Sequence, residues 1–172
     1  LRGANLFSGA AGDFFDSKNR LASKPSFSIF ICNPPWKEPR KGDQSSADAW
    51  TENRGGAVVR RQMAAAFAHR ALECLLPDGR LCLILPVSLF LAPTSQRFVA
   101  EWLGKVRLHR LINFGDLRDL LFDRAHHACV VAMASPRALK AQYIPVAEQF
   151  EYWVPKADTS LAMGRLTLRA ED

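Results

Sequence analysis

The segment FSIFIC at Phe27–Cys32 runs directly into Asn33-Pro34-Pro35-Trp36. Six almost continuous apolar residues read as a buried strand. Two consecutive prolines hold φ near −65° and remove two backbone donors, so the strand cannot continue past them. The chain therefore needs a sheet covered by other layers, with a rigid turn at one end of a strand. Downstream segments supply those layers. Residues 59–76 carry Met63, Phe67, Ala71, Cys74 and Leu75 at three- and four-residue steps, with Arg60, Arg61, His69, Arg70 and Glu73 largely elsewhere, the pattern of an amphipathic helix. Pro77-Asp78-Gly79 predicts a turn, and residues 80–85 (RLCLIL) a second buried strand. Pro93 in a first turn and Gly104 at a C′ position bracket another helix. Strand-like segments follow at 107–114 and 128–134. Buried strands alternating with helices predict an α/β fold with a mainly parallel sheet.

Between the first strand and the first helix, residues 37–58 are polar and rich in glycine, without periodicity. They read as a long loop, and loops of that length in a compact chain are usually functional or disordered. The last thirty residues, with Tyr143, Phe150, Tyr152 and Trp153, read either as an extra strand or as the start of a further region.

With 172 residues, 48% of them hydrophobic and 23% charged, the chain is domain-sized and too apolar for intrinsic disorder. Its longest apolar run, residues 81–92, is interrupted by Pro86 and falls short of the roughly 20 residues that span a bilayer. No signal-peptide pattern is present at the start, so the expectation is a soluble, cytoplasmic protein without a membrane partner. Twenty-three Lys and Arg against seventeen Asp and Glu leave a net charge of +6. That excess suits a polyanionic partner without requiring one. Cys32, Cys74, Cys82 and Cys129 sit in apolar stretches with no C-x-x-C spacing, and read as reduced core thiols rather than zinc ligands or disulfides.

The turn after the first strand carries the most chemistry. In open α/β sheets ligands bind beyond the carboxyl ends of strands, which is where this turn lies. The side-chain oxygen of Asn33 and the carbonyl of Pro34 are acceptors that can together hold both hydrogens of an exocyclic amine. Trp36 offers a flat face for a planar base, a contact worth about 1–3 kcal/mol. Asparagine does not titrate usefully, so the chemistry is positioning rather than acid–base. A proline-terminated strand with an aromatic packed on its turn is the plainer alternative.

Asn33-Pro34-Pro35-Trp36 resembles the catalytic motif of amino-group methyltransferases that use S-adenosyl-L-methionine, and the neighbouring segments resemble the N6-adenine DNA methyltransferases of restriction-modification and phage-defence systems. Gly12-Asp13-Phe14-Phe15 resembles the acidic segment of that family, in which the carboxylate contacts the adenine portion of the cofactor. The stretch from Ala66-Phe67 to Ile84-Leu85-Pro86 is similar to its helix, turn and strand, with an aromatic at the Phe67 position lining the cofactor pocket. Leu121-Phe122-Asp123 with residues 128–131 is similar to a later motif whose aromatic packs on the flipped target base. The resemblance spans residues 11–135. It implies a Rossmann-like sheet with a reversed last strand, base flipping out of duplex DNA, and direct displacement at the sulfonium methyl. Catalytic roles then fall to Asn33, Pro34, Pro35 and Trp36, cofactor contacts to Asp13, Phe14 and Phe67, and base contacts to Trp36 and Phe122. Double-stranded DNA is the implied substrate, with a restriction or specificity subunit or domain as a further partner.

The pattern also departs from the family. Ser28 and Cys32 stand where the family commonly has Asp and Gly. The glycine-rich cofactor loop is not recognisable, since Gly9-Ala10-Ala11-Gly12 lies too close to Asn33. The expectation is an N-terminally incomplete methyltransferase domain over residues 1–142, with a C-terminal extension or target-recognition region starting over 143–172. Two alternatives stay open: the same chemistry on a ribosomal RNA guanine or a protein glutamine, and a non-catalytic nucleic-acid-binding fragment.

The remaining candidates are weaker. His126 and His127 lack a carboxylate or cysteine at ligand spacing and read as loop residues rather than metal ligands. Lys37, Arg40, Lys41, Arg54, Arg60 and Arg61 flank the turn and are placed to meet phosphates, unless they form an ordinary solvated face. Trp50 either caps a flipped base or anchors its loop. Glu73 and Asp78 read as surface and turn residues.

Overall fold

The computed structural model describes residues 13–16, 24–36, 45–54, 62–121, 127–137 and 148–156. The apolar run forms strand β1 (Phe27–Cys32), and strand β2 (Leu75–Pro86) pairs with it in parallel. Strands β3 (Val106–Asn113) and β4 (Cys129–Pro136) follow, and a short β5 (Glu151–Trp153) adds to β3. Among the described residues the order is β1-β2-β4-β3-β5. Strand β4 runs antiparallel to both β2 and β3, whereas β5 is parallel to β3. Four strands therefore share one direction and β4 alone is reversed. The reversed strand is the last described one within residues 1–142, and β5 follows it in the C-terminal region. Because β4 sits between β2 and β3, two of the four ladders are antiparallel, and the sheet is mixed rather than mainly parallel in its pairings.

One face of the sheet is covered. Phe30 and Cys32 of β1, Leu81, Leu83 and Leu85 of β2, and Val130, Ala132 and Ala134 of β4 point into the core. Strict alternation puts their neighbours on the opposite face, where Ile29 and Ile31 are 61% and 73% exposed. The first strand is thus buried on one face only, which its apolar composition did not distinguish. A depression of about 440 Å³ on this open face is lined by Ile29, Ile31, Cys82 and Met133 and contains none of the expected site residues.

The covering layer is built around helix α2 (Met63–Cys74). Small alanines let it lie close to the sheet, and residues 64–71 are all buried, His69 and Arg70 included. No polar face remains, contrary to the amphipathic reading, because other elements cover the second side. A short helix α3 (Ser88–Leu91) leads through a tight turn at Pro93–Ser95 into α4 (Gln96–Lys105). From α4, the buried indole of Trp102 donates to the Ala68 carbonyl at 3.1 Å, and Phe98 packs edge-on to His69. Helix α5 (Arg118–Leu121) lies between β3 and β4 in the chain.

A further helix, α1 (Ser46–Arg54), occupies part of what composition marked as a loop. Its start is a capping box. Ser45 Oγ accepts the Asp48 N–H at 3.2 Å while Asp48 Oδ2 accepts the Ser45 N–H at 2.9 Å, satisfying two donors that the first turn leaves open.

Two glycines behave differently from expectation. Gly104 lies inside α4, not beyond its end, because the chain passes from Lys105 straight into extended Val106 and needs no left-handed residue. The Pro77-Asp78-Gly79 turn appears as an excursion within β2. The partner of Phe27 is Leu75, but that of Ile29 is already Arg80. A Cβ on Gly79 would stand 2.9 Å from the Leu76 carbonyl oxygen and 3.2 Å from that of Phe27, whereas one on Gly104 would meet nothing within 4 Å. Opposite effects follow for one methyl group. Gly79→Ala lowers stability by about 1–3 kcal/mol through overpacking, and Gly104→Ala raises it by about 0.5–1 kcal/mol through helix propensity. Urea unfolding of the two variants checks this, and shifts of the same sign contradict it.

Candidate active site

The turn 33–36 leaves the carboxyl end of β1 beside that of β2. Asn33 and Pro35 are exposed, Pro34 is buried, and Trp36 is half-buried against the core. Trp36 holds the turn in place, its indole Nε1–H donating to the Ile84 carbonyl at 3.3 Å across 48 residues of sequence. A bond of this kind contributes about 1 kcal/mol, and it is added to a backbone already restricted by two prolines. The Asn33 carboxamide has no hydrogen-bond partner among the described residues. The structure therefore presents an exposed polar group on a stiff mount.

Below this turn lies an aromatic cluster. Phe14 stacks on Phe67 with centroids 5.0 Å apart and lies 5.9 Å from Phe30 of β1. Phe15 meets Phe67 edge-on at 4.8 Å and Trp50 of α1 at 5.6 Å. Each such pair contributes about 0.5–1.5 kcal/mol beyond its buried area. The turn at residues 13–16 is thereby wedged among β1, α1 and α2, with Asp13 exposed at its head. Asp13 Oδ1 accepts the Phe15 N–H at 2.9 Å, and its carbonyl accepts the Asp16 N–H at 3.1 Å. Asp13, Phe14 and Phe67 are thus brought together. The two rings, however, are buried against each other.

Arg70 was not singled out from sequence as a site residue, yet it joins these parts. Its Nη1 pairs with Glu73 Oε2 at 2.7 Å, its Nε donates to the Phe14 carbonyl at 3.4 Å, and its guanidinium lies 5.6 Å from the Trp50 ring. Glu73 Oε1 holds Arg54 at 2.6 Å, and Arg54 lies 5.8 Å from the same ring. Trp50 is accordingly an anchor of α1, flanked by two guanidinium groups. Arg54 is engaged within the protein, and Glu73 is an ion-pair node rather than a plain surface residue. The Arg70-x-x-Glu73 spacing was the available signal. Phe122, Lys37, Arg40, Lys41, Arg60, Arg61 and His126 lie outside the described residues. His127 is exposed. Among the described residues no group of three His, Cys, Asp or Glu could hold a metal ion, and no helix is long and apolar enough to cross a membrane.

Residues 2–119 match the Eco57I restriction-modification methylase family. The chain belongs to that family. Among solved structures, it is similar to a Listeria monocytogenes protein assigned to the class I S-adenosylmethionine-dependent methyltransferases, at 13% identity and a TM-score of 0.53 over 82% of this chain and 41% of that one. It is also similar to the M protein of the type I restriction enzyme EcoKI, at 17% identity and a TM-score of 0.50 over 74% of this chain and 24% of that one. A modification subunit assigned to a type I restriction enzyme of Vibrio vulnificus matches at 16% identity and a TM-score of 0.50 over 77% of this chain and 26% of that one. The chain thus spans between a quarter and two-fifths of the length of these structures. No curated protein sequence matches it.

In this Eco57I-family chain the four cysteines are free thiols. Burial pushes Cys32, next to Asn33, up to about 11. Burial likewise pushes Cys74 up to about 11, with Arg70 opposing and Glu73 adding to the shift. The neutral thiol is the form that folding favours, so this contribution is complete below the unfolded value of about 8.5 and is lost as pH rises through about 11. Urea midpoints measured from pH 8 to 11 should fall more steeply for the wild type than for the Cys32→Ala/Cys74→Ala double variant. Parallel curves contradict the assignment.

Proposed function

We propose that this chain carries the catalytic residues of an S-adenosyl-L-methionine-dependent DNA methyltransferase acting on the N6 amine of adenine. The observation that carries the reading is the exposed carboxamide of Asn33, without a hydrogen-bond partner among the described residues, on a turn fixed by two prolines and by the Trp36–Ile84 bond. Asn33 Oδ1 and the Pro34 carbonyl accept the two amine hydrogens. Both acceptors engage N–H groups and leave the nitrogen lone pair directed away from them. The bound cofactor supplies an electrophilic methyl group. Since asparagine cannot take up the released proton, the site works by alignment, and the proton that the amine loses once it carries the methyl group goes to bulk water.

Trp36 presents a ring face to the target base, and Phe122 is the proposed second face. A base held this way must leave the duplex, an extrusion that costs a few kcal/mol and is offset by stacking worth about 1–3 kcal/mol per face. Asp13 fits a cofactor contact because its carboxylate stands exposed on a turn that the aromatic cluster immobilises. Phe14 and Phe67 back that contact. Double-stranded DNA is the proposed substrate, in keeping with the net charge of +6. A specificity or restriction subunit or domain is the proposed source of sequence recognition.

Asn33→Ala in the intact enzyme is expected to lower methyl incorporation into duplex DNA at least 100-fold, on the order seen when one aligned polar group is removed. Its melting temperature should stay within a degree or two of wild type. Parallel assays on ribosomal RNA and on a glutamine-bearing protein should show no incorporation. Wild-type turnover by the variant, or incorporation only into RNA or protein, contradicts the proposal.

A further inference from the structure

We propose that Arg70 is a positioning residue for the cofactor end of the site, acting through the Asp13 turn. The inference rests on the reading above, in which Asp13 contacts the cofactor. Its own basis is the placement of a charge where packing alone does not call for one. Arg70 is 4% exposed in the middle of α2, where most of its buried neighbours on the helix are alanines, Phe67 and Cys74. Burying a guanidinium is costly, and a well-packed apolar residue of similar size is often as stable or more so. What an apolar residue cannot do is hold three different elements in one geometry.

Arg70 does so with its separate donors and its flat face. From α2, Nη1 is fixed by Glu73 one turn away at 2.7 Å. Nε reaches the Phe14 carbonyl at 3.4 Å, the backbone group immediately after Asp13. The guanidinium carbon lies 5.6 Å from the Trp50 ring centroid and 6.0 Å from that of Phe14. Glu73 divides its two oxygens between Arg70 and Arg54. The tripeptide Asp13-Phe14-Phe15 is therefore gripped from both sides. Ring contacts hold it from Phe67 and Phe30, and Arg70 holds its backbone. The rings prevent the turn from leaving. Their stabilisation comes mainly from buried area, whereas a hydrogen bond restrains one atom pair along one direction. The hydrogen bond to the Phe14 carbonyl adds a directional restraint from outside the turn to those that Asp13 makes within it, and ties the Asp13 carboxylate to α2.

Lysine at this position keeps a positive charge beside Glu73 and an aliphatic stem, but offers a point charge instead of a planar fork. In the intact enzyme, Arg70→Lys is expected to raise KM for S-adenosyl-L-methionine about tenfold. The kcat at saturating cofactor and KM for duplex DNA should stay within twofold of wild type. Asp13→Asn keeps an acceptor for the Phe15 N–H while removing the charge. In that background Arg70→Lys should change the cofactor KM by less than twofold, because the group it positions is already gone. Glu73→Gln, which loosens Arg70 without changing the helix volume, should raise the same KM about threefold and also lose its effect beside Asp13→Asn. That second variant decides the matter if Arg70→Lys does not fold.

A purely structural role would lower the melting temperature and move kcat and both KM values together, with effects that add to those of Asp13→Asn. Additive effects, or an unchanged cofactor KM in an active enzyme, overturn the positioning role and leave the Asn33 reading intact. A wild-type enzyme that neither binds S-adenosyl-L-methionine nor transfers a methyl group overturns the reading of the site and the role of Arg70 with it.

Discussion

Strand β2 is the element on which the rest of the structure depends. It hydrogen-bonds on both edges, parallel to β1 and antiparallel to β4, and its Leu81, Leu83 and Leu85 are almost wholly removed from water. Burying three leucine side chains contributes several kcal/mol by transfer alone, well above any exposed ion pair in the molecule, such as Arg97–Glu101. The parallel pairing with β1 brings the carboxyl ends of the two strands side by side. That juxtaposition lets Trp36 reach the Ile84 carbonyl and converts a flexible end of strand into a fixed mount for Asn33. Since β4 is reversed and occupies the other edge of β2, the continuation of the sheet through β3 lies away from this corner.

The second structural layer is a small number of rings and charges rather than a broad apolar surface. Phe14, Phe15, Phe67 and Trp50 meet where α1, α2 and the 13–16 turn converge, and Arg70 and Glu73 complete the junction. Apolar contacts supply most of the energy there. The ion pair and the hydrogen bond to Phe14 supply direction, which matters for a site that works by alignment. The two halves of the proposed site share β1: Phe30 faces the aromatic cluster from within the strand, and Asn33 follows at its end.

Much of this was legible in the sequence where a local pattern has only one structural solution. FSIFIC stopped by two prolines could only be a strand with a rigid end, and the periodicity from Met63 to Cys74 placed α2 within a few residues. Tertiary context hid the rest. The open face of β1 was invisible because isoleucine at positions 29 and 31 reads the same whether covered or not. The full burial of α2 was missed because Arg70 and His69 look like a solvated face until their partners are known. Helix α1 was missed because its composition is polar, although Ser45 and Asp48 spelled its cap. Gly104 misled because glycine near the end of a helix usually terminates it, whereas here the chain turns directly into β3. The reversed direction of one strand followed from the resemblance of four motifs to a methyltransferase family. Hydrophobic periodicity carries no information on strand direction. Its insertion between β2 and β3 emerged only in three dimensions.

The most direct measurement is a crystal structure of the intact enzyme with a non-reactive cofactor analogue and duplex DNA containing its target adenine. The expected result is an adenine outside the helix, its N6 within hydrogen-bond distance of Asn33 Oδ1 and the Pro34 carbonyl, and its ring against Trp36. An adenine still stacked in the duplex, or one extruded with its amine bound by other groups, would contradict the assignment of the turn after β1 as the catalytic centre.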